Sequence, residues 1–376
     1  MSDAESTCLW IDLLAHDDPR DVVHRAVACL AQGGILGFST AIDDCLAASV
    51  TNPEGLARIR MLSRLSETQP LTLYLKGPDE AIDWVPRCPP LGRRLAWRLW
   101  PGPLTLIFPE LDTAGLGGRI PAKVETLLSP EAKLAIQCPN DRFVRDVLEL
   151  IPTPLATAQV TAEDRNPAGT TPTLRRFSGI DMVIHSASPQ DARGATQVLI
   201  QEQSWRIVRE GLIDAETIQR MSGIVILFVC TGNTCRSPMA EAICKLVLAR
   251  RLQCQVGELE ERGFLVLSAG VAASDGAPAA AHAVEVLRAM GGSLKEHRSR
   301  RLTREMVRMA DWIFAMTEDH LDALLESVPE AHSTAFLLDP RGGDVSDPIG
   351  TNQENYIRTA ETIESLITQR LEQLGL

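Results

Sequence analysis

The chain alternates short apolar runs with stretches in which apolar residues recur every three or four positions. From Asp18 to Gln32, the residues Val22, Val23, Ala26, Val27 and Leu30 share one helical face, and Gly33-Gly34 stops the helix. A short strand, Ile35 to Ser39, follows. Asn52-Pro53-Glu54 opens another helix, Pro70 to Leu75 reads as a buried strand, and Arg93 to Trp100 reads as a helix. Trp100-Pro101-Gly102-Pro103 breaks it before a strand from Leu104 to Phe108. Ala192 to Glu210 supplies a strand pair, and Leu212 to Met221 a connecting helix. The six residues from Ile224 to Val229 are all apolar and mostly β-branched, which predicts a strand buried on both faces. Phe264 to Ser268 and Asp311 to Met316 are the next strands. Between and after them, helices are expected over Met239 to Leu252, from His282 onward, over His320 to Ser327 behind a Thr317 cap, and over Tyr356 to Leu374. In the last of these, Ile357, Ala360, Ile363, Ile367 and Leu371 make the inward stripe. Helix and strand in alternation imply an α/β protein.

At 376 residues the chain is long enough for two domains, expected over 1–221 and 222–376. Ser222-Gly223 is a short junction rather than a flexible linker, so the two are expected to pack together. Hydrophobic residues make up 45% of the chain, enough for real cores. A net charge of −12 and a pI near 5.2 argue against nucleic acid as the default partner. The nine cysteines show no paired metal spacing, so reduced thiols in the cytoplasm are expected, with no metal or other cofactor. The opening Met-Ser-Asp-Ala-Glu-Ser-Thr has neither a basic region nor an apolar core and is no secretory signal. No apolar run reaches membrane-spanning length.

The densest chemistry lies in the loop from Cys230 to Ser237, at the carboxyl end of the Ile224 strand and just before a helix with Pro238 in its first turn. Backbone N–H groups, a helix dipole and one guanidinium converge there, which makes an anion site. The same groups favour a negatively charged sulfur on Cys230, and thiolate is the nucleophilic form. The planar fork of Arg236 suits two equatorial oxygens of a phosphoryl group, placing phosphorus in line with the sulfur. Gly232 and the turn-tolerant Asn233 let the backbone approach closely, and Ser237 can donate a hydrogen bond to the sulfur.

Val-Cys-Thr-Gly-Asn-Thr-Cys-Arg-Ser-Pro-Met-Ala-Glu, from Val229 to Glu241, resembles the low-molecular-weight protein tyrosine phosphatases, which include bacterial protein arginine phosphatases. Ser268-Ala269-Gly270, His297-Arg298-Ser299-Arg300, Ala310-Asp311-Trp312-Ile313 leading to Ala315-Met316-Thr317, and Asp344-Val345-Ser346-Asp347-Pro348 follow in the family's order. The resemblance covers about 223–376. It implies a Rossmann-like four-stranded parallel sheet and a phosphorylated protein as substrate. It also implies that Thr231, Gly232, Asn233, Thr234, Cys235 and Ser237 cradle the phosphate. Cys230 and Arg236 would act as above. Asp347, fixed by Pro348, would be the general acid and then the base that activates water. Asp339-Pro340 lies too early and lacks the preceding Asp-Val. Ser268 and His297 fall where the family braces the loop asparagine, and Cys235 where relatives form a protective disulfide with the nucleophile. Thr234 replaces a larger aliphatic residue of tyrosine-specific relatives and resembles the arginine phosphatases, and Ile349-Gly350 stands where tyrosine phosphatases carry aromatic side chains. Phosphoarginine and phosphotyrosine both stay open. A thioredoxin-coupled arsenate reductase needs later cysteines, and none follows Cys254.

The first half, about 10–220, resembles the YrdC family of threonylcarbamoyl-adenylate synthases, which implies a twisted α/β sheet. The likeness rests on Gly33 to Phe38, Asn52-Pro53-Glu54 with Ala57-Arg58-Ile59, Pro70-Leu71, Trp100 to Leu106 and Arg206 to Gly211. Where the family has Pro-Thr-Glu-Thr and Tyr-Gly-Leu-Gly, this chain has Ser39-Thr40-Ala41-Ile42 and Asp44-Cys45-Leu46-Ala47. The family's Lys-x-Arg falls on Ser63 and Leu65 around Arg64, and its Ser-x-Asn on Gln159 and Thr161. A triphosphate cannot be held without its cations and donors, so this domain is expected to be degenerate in that reaction. The alternatives are a retained nucleotidyl transferase, or a binding module that positions the phosphatase on a protein or RNA. Arg58, Arg60, Arg64, Arg93, Arg94 and Arg98 read either as a nucleotide or RNA cavity or, preferred here, as solvated helix faces. Trp97 and Trp100 read as core.

Overall fold

A computed structural model describes residues 8–15, 18–160, 174, 177–186, 193–202 and 204–376. It divides into two compact units, Met1–Met221 and Ser222–Leu376. Two positions singled out above, Thr161 and Ala192, lie outside the described residues.

The first unit is built on one mixed ten-stranded sheet. Its strands are β1 (Leu9–Asp12), β2 (Leu36–Ser39), β3 (Asp44–Ser49), β4 (Thr72–Tyr74), β5 (Leu104–Phe108), β6 (Leu134–Gln137), β7 (Leu155–Gln159), β8 (Met182–His185), β9 (Thr196–Gln201) and β10 (Ser204–Arg209). They lie in the order β1-β8-β2-β3-β7-β4-β6-β5-β9-β10. Local chemistry sets several boundaries. Asp18 accepts the Arg20 N–H and starts the helix Pro19–Ala31, and Gly33 then takes the left-handed φ of 82° that turns the chain into β2. Asn52 caps the helix Pro53–Leu62 by accepting the Gly55 N–H, while its amide donates to the Gly33 carbonyl at 2.9 Å and ties turn to cap. Trp100 ends the helix Pro90–Leu99, is buried, and donates its indole N–H to the Leu104 carbonyl at 2.7 Å. Trp97 is only half-buried. The strand expected over Pro70 to Leu75 shrinks to three residues, because only Thr72–Tyr74 pairs with both β6 and β7.

The second unit has four parallel strands, β11 (Ile224–Cys230), β12 (Phe264–Gly270), β13 (Trp312–Ala315) and β14 (Ala335–Leu337), in the order β12-β11-β13-β14. The apolar run of β11 reflects burial on both faces. Ile226, Phe228 and Cys230 pack in the core with Met239, Ile243 and Val247 of the helix Arg236–Leu252 and with Ala360 and Ile363 of the helix Gln353–Gln373. Val225, Leu227 and Val229 pack with Val307 of the helix Arg304–Met309 and Leu324 of the helix Glu318–Ser327. The last helix differs from expectation in one register position. Tyr356 is buried and Ile357 is exposed, because the inward stripe runs through Tyr356, Thr359, Ala360, Ile363, Leu366, Ile367 and Leu371. With β12 on one side of β11 and β13 on the other, the carboxyl end of β11 is where the strand order reverses. Ligand crevices of open parallel sheets form at such points.

Candidate active site

The chain leaves β11 at Cys230 and enters the helix at Arg236, and the turn between them hangs on Asn233. Asn233 is fully buried, with φ of 53°, a left-handed conformation that asparagine tolerates better than most residues. Every polar group it has is engaged. Its side-chain amide donates to Ser237 Oγ and to Ser268 Oγ, each at 2.9 Å, and its side-chain oxygen accepts the Arg300 N–H at 2.9 Å. Its carbonyl lies 2.8 Å from His297 Nε2, and its own N–H points at Cys230 Sγ at 3.3 Å. Ser268 donates onward to Glu241 at 2.6 Å, and Glu241 also pairs with Lys245 at 2.6 Å.

This scaffold fixes Cys230. Its sulfur is buried and lies 2.9 Å from Ser237 Oγ. Gly232 adopts no left-handed φ, and a Cβ there would meet only Thr234 Oγ1 at 3.7 Å. Within the protein itself the tight position is Gly270 at the end of β12, where a Cβ would lie 2.4 Å from the Thr231 carbonyl and 3.0 Å from the Asn233 nitrogen. Thr234 accepts the Ala280 N–H at its carbonyl, and Cys235 is buried with its sulfur 3.4 Å from the Tyr356 hydroxyl.

Arg236 is only 6% exposed, with one guanidinium nitrogen donating to the Val345 carbonyl at 3.2 Å and another pairing with Asp347 at 2.5 Å. The Asp347 side chain is 39% exposed, and its second oxygen accepts the Ile349 N–H at 3.1 Å. A loop 111 residues away thus brings a carboxylate onto the guanidinium that closes the Cys230–Ser237 loop. Asp339 faces elsewhere, paired with Arg341.

The family model described as low molecular weight phosphotyrosine protein phosphatase matches residues 225–375. A protein-arginine-phosphatase of Geobacillus stearothermophilus is 39% identical over 156 residues, which are 40% of this chain and 95% of the relative. The chain belongs to the low molecular weight phosphotyrosine protein phosphatase family. A protein-arginine-phosphatase of Bacillus subtilis is also 39% identical, over 40% of this chain and 95% of its own. A probable low molecular weight protein-tyrosine-phosphatase of Ralstonia nicotianae is 36% identical over 37% and 88%. A second model, described as telomere recombination and covering the YrdC-type proteins, matches residues 28–211, so this family member carries a YrdC-type domain ahead of its phosphatase unit.

In the first domain, two of the positions that depart from the YrdC pattern are tied to nearby groups of the protein. Gln159 donates to the buried Asp43 at 2.7 Å, and Ser63 donates to the Ile59 carbonyl within its own helix end. Arg58 binds Asp181 and the Gly179 carbonyl, Arg60 binds the carbonyls of Ser66, Gln69 and Leu127, and Arg98 binds that of Met221. Among the described residues, no group of side chains is arranged to hold a metal ion and no helix is long and apolar enough to cross a membrane.

Sequence reasoning overlooked His320, Tyr356 and Gly270 at the phosphatase loop. His320 carried one signal, its place three residues after the capping Thr317, where a side chain can turn back toward the cap. Tyr356 carried none beyond being one of two tyrosines.

Proposed function

We propose that the second unit is a cysteine-dependent protein phosphatase working through a cysteinyl-phosphate intermediate. The observation that carries this reading is the Asp347 carboxylate seated 2.5 Å from Arg236 of the loop that Cys230 opens. A phosphoryl group entering the loop takes the guanidinium from Asp347 and leaves that carboxyl facing the leaving atom. Cys230 Sγ attacks phosphorus while the bond to the leaving nitrogen or oxygen breaks, and Asp347 delivers its proton to that atom. Water then attacks the cysteinyl-phosphate, its proton passing to the Asp347 carboxylate, and the sulfur departs as thiolate, helped by Ser237 Oγ at 2.9 Å. Ser268 and His297 keep Asn233 in the conformation that aims the backbone N–H groups inward.

Phosphoarginine on a protein is the favoured substrate. Thr234 gives the loop a small polar wall where a larger aliphatic residue would favour an aromatic ring, and two of the most similar relatives are named protein-arginine-phosphatases. The first domain, over 1–221, is read as degenerate in adenylate formation, because its polar residues engage one another. A thermal-shift titration with ATP that moves its unfolding transition would overturn that.

The deciding experiment is steady-state hydrolysis of p-nitrophenyl phosphate, a phosphotyrosine peptide and a phosphoarginine protein by the full chain and by Cys230→Ser. Activity lost in the variant, with the phosphoarginine protein turned over fastest, supports the proposal. Activity that survives the substitution overturns it, and a faster phosphotyrosine rate reverses the substrate order.

A further inference from the structure

His320 is buried beside the phosphate loop, and the scheme above gives it no task. Both of its ring nitrogens lie 2.7 Å from threonine hydroxyls, Nε2 from Thr231 Oγ1 and Nδ1 from Thr317 Oγ1. Thr317 Oγ1 already accepts the His320 backbone N–H as the helix cap, so its own hydrogen is available to Nδ1. A neutral imidazole that accepts at Nδ1 carries its proton on Nε2, and Nε2 then donates to Thr231 Oγ1. Thr231 is exposed at the mouth of the loop, and its backbone is held by the Ala272 N–H on its carbonyl. Once its oxygen accepts from the imidazole, its hydrogen is left to point into the phosphate site. Burial, and then the nearby Arg236 cation, push the His320 pKa below the ordinary imidazole value, which keeps the ring neutral. The same helix start binds the acid-bearing loop, since Asp344 accepts the Glu318 N–H at 2.9 Å and Val345 donates to the Met316 carbonyl at 2.8 Å.

We infer that His320 is a positioning residue: as the neutral Nε2–H tautomer it fixes the Thr231 hydroxyl as a hydrogen-bond donor to the phosphoryl group. The inference rests on the phosphatase reading and adds to it a side chain that acts through another. It links the start of the helix Glu318–Ser327, the loop bearing Asp347 and the nucleophile's neighbour in one chain of hydrogen bonds.

The test compares His320→Asn, His320→Gln, Thr231→Val and the His320→Asn/Thr231→Val double variant of the full chain on p-nitrophenyl phosphate, with inorganic phosphate as competitive inhibitor. A glutamine amide reaches the place of Nε2, whereas an asparagine amide stops near Nδ1. His320→Asn and Thr231→Val should each lower kcat/KM by about tenfold to a hundredfold and weaken phosphate inhibition. His320→Gln should recover most of the loss, and the double variant should be no worse than either single one. Nitrogen-15 spectra of the unaltered protein should place the ring proton on Nε2, a readout that does not depend on any variant folding. A proton on Nδ1, additive losses in the double variant, or unchanged kinetics in His320→Asn while Cys230→Ser is dead would overturn the inference alone. Activity surviving in Cys230→Ser would overturn the phosphatase reading and this inference together.

Discussion

Each unit gathers polar side chains among its strands and loops, and the two arrange them differently. In the second, Asn233 consumes its own polar groups in bracing the loop, while Arg236, which closes that loop, pairs with Asp347. In the first, Asp43 is buried against the Gln159 amide and the Ala195 N–H. Gly194 passes so close that a Cβ there would lie 2.4 Å from Asp43 and 3.1 Å from the Arg209 guanidinium. Arg58 and Arg60 are likewise engaged by a carboxylate and by carbonyls. The difference lies in what the buried polar groups hold: a loop that ends in an Arg236–Asp347 pair in the second unit, and strands and turns in the first.

The sharpest way to break this contrast is Arg236→Lys. Lysine keeps the charge but loses the planar fork, so kcat/KM on p-nitrophenyl phosphate should fall by about a thousandfold, and a loss under tenfold would mean that Arg236 serves only as a point charge. Thr234→Ile should shift the ratio of phosphotyrosine to phosphoarginine turnover toward phosphotyrosine by about tenfold or more. An unchanged ratio sinks the assignment of Thr234 to substrate choice. Asp43→Ala strips the first unit of the acceptor for Gln159 and the Ala195 N–H and should cost it about 2 kcal/mol in urea unfolding, with phosphatase kinetics unmoved. A change in kcat would show that the two polar clusters are coupled.

The smallest effect concerns Asp112, whose carboxyl the Arg87 guanidinium holds down at about 2 by hydrogen bonding. A depressed carboxylate stabilises the fold above its unfolded value, about 3.9, and loses that contribution as pH falls through its folded value. Arg87→Ala should therefore lower the stability of the first unit from pH 4 upward, with the gap to the unaltered protein closing as pH falls toward 2. Urea midpoints measured across that range check it, and a gap independent of pH would assign the effect to packing.

Much of the frame was legible because it depends on neighbours in the chain. The apolar run Ile224 to Val229 could only be a strand covered on both sides, and Asn52 and Thr317 announced the helices they cap. Short strands without a strong pattern escaped, among them β3, whose Cys45 and alanines carry little strand preference, and the three-residue β14. Asp347, Ser268 and His297 were placed by resemblance to a family, since nothing in their own surroundings along the chain points to Cys230.

What the sequence by itself determined was therefore local: the periods of helix and strand, the caps, and the eight residues from Cys230 to Ser237. Only the tertiary structure decided that Arg236 meets a carboxylate 111 residues away and that His320 reaches Thr231 across 89. It alone turned Tyr356 rather than Ile357 inward against Cys235 and left Gly270 no room for a side chain. The reason is physical. Hydrogen-bond periodicity constrains residues a few positions apart, whereas contacts across the sheet are set by strand register and helix packing, which sum many weak apolar contacts that no single stretch of sequence contains.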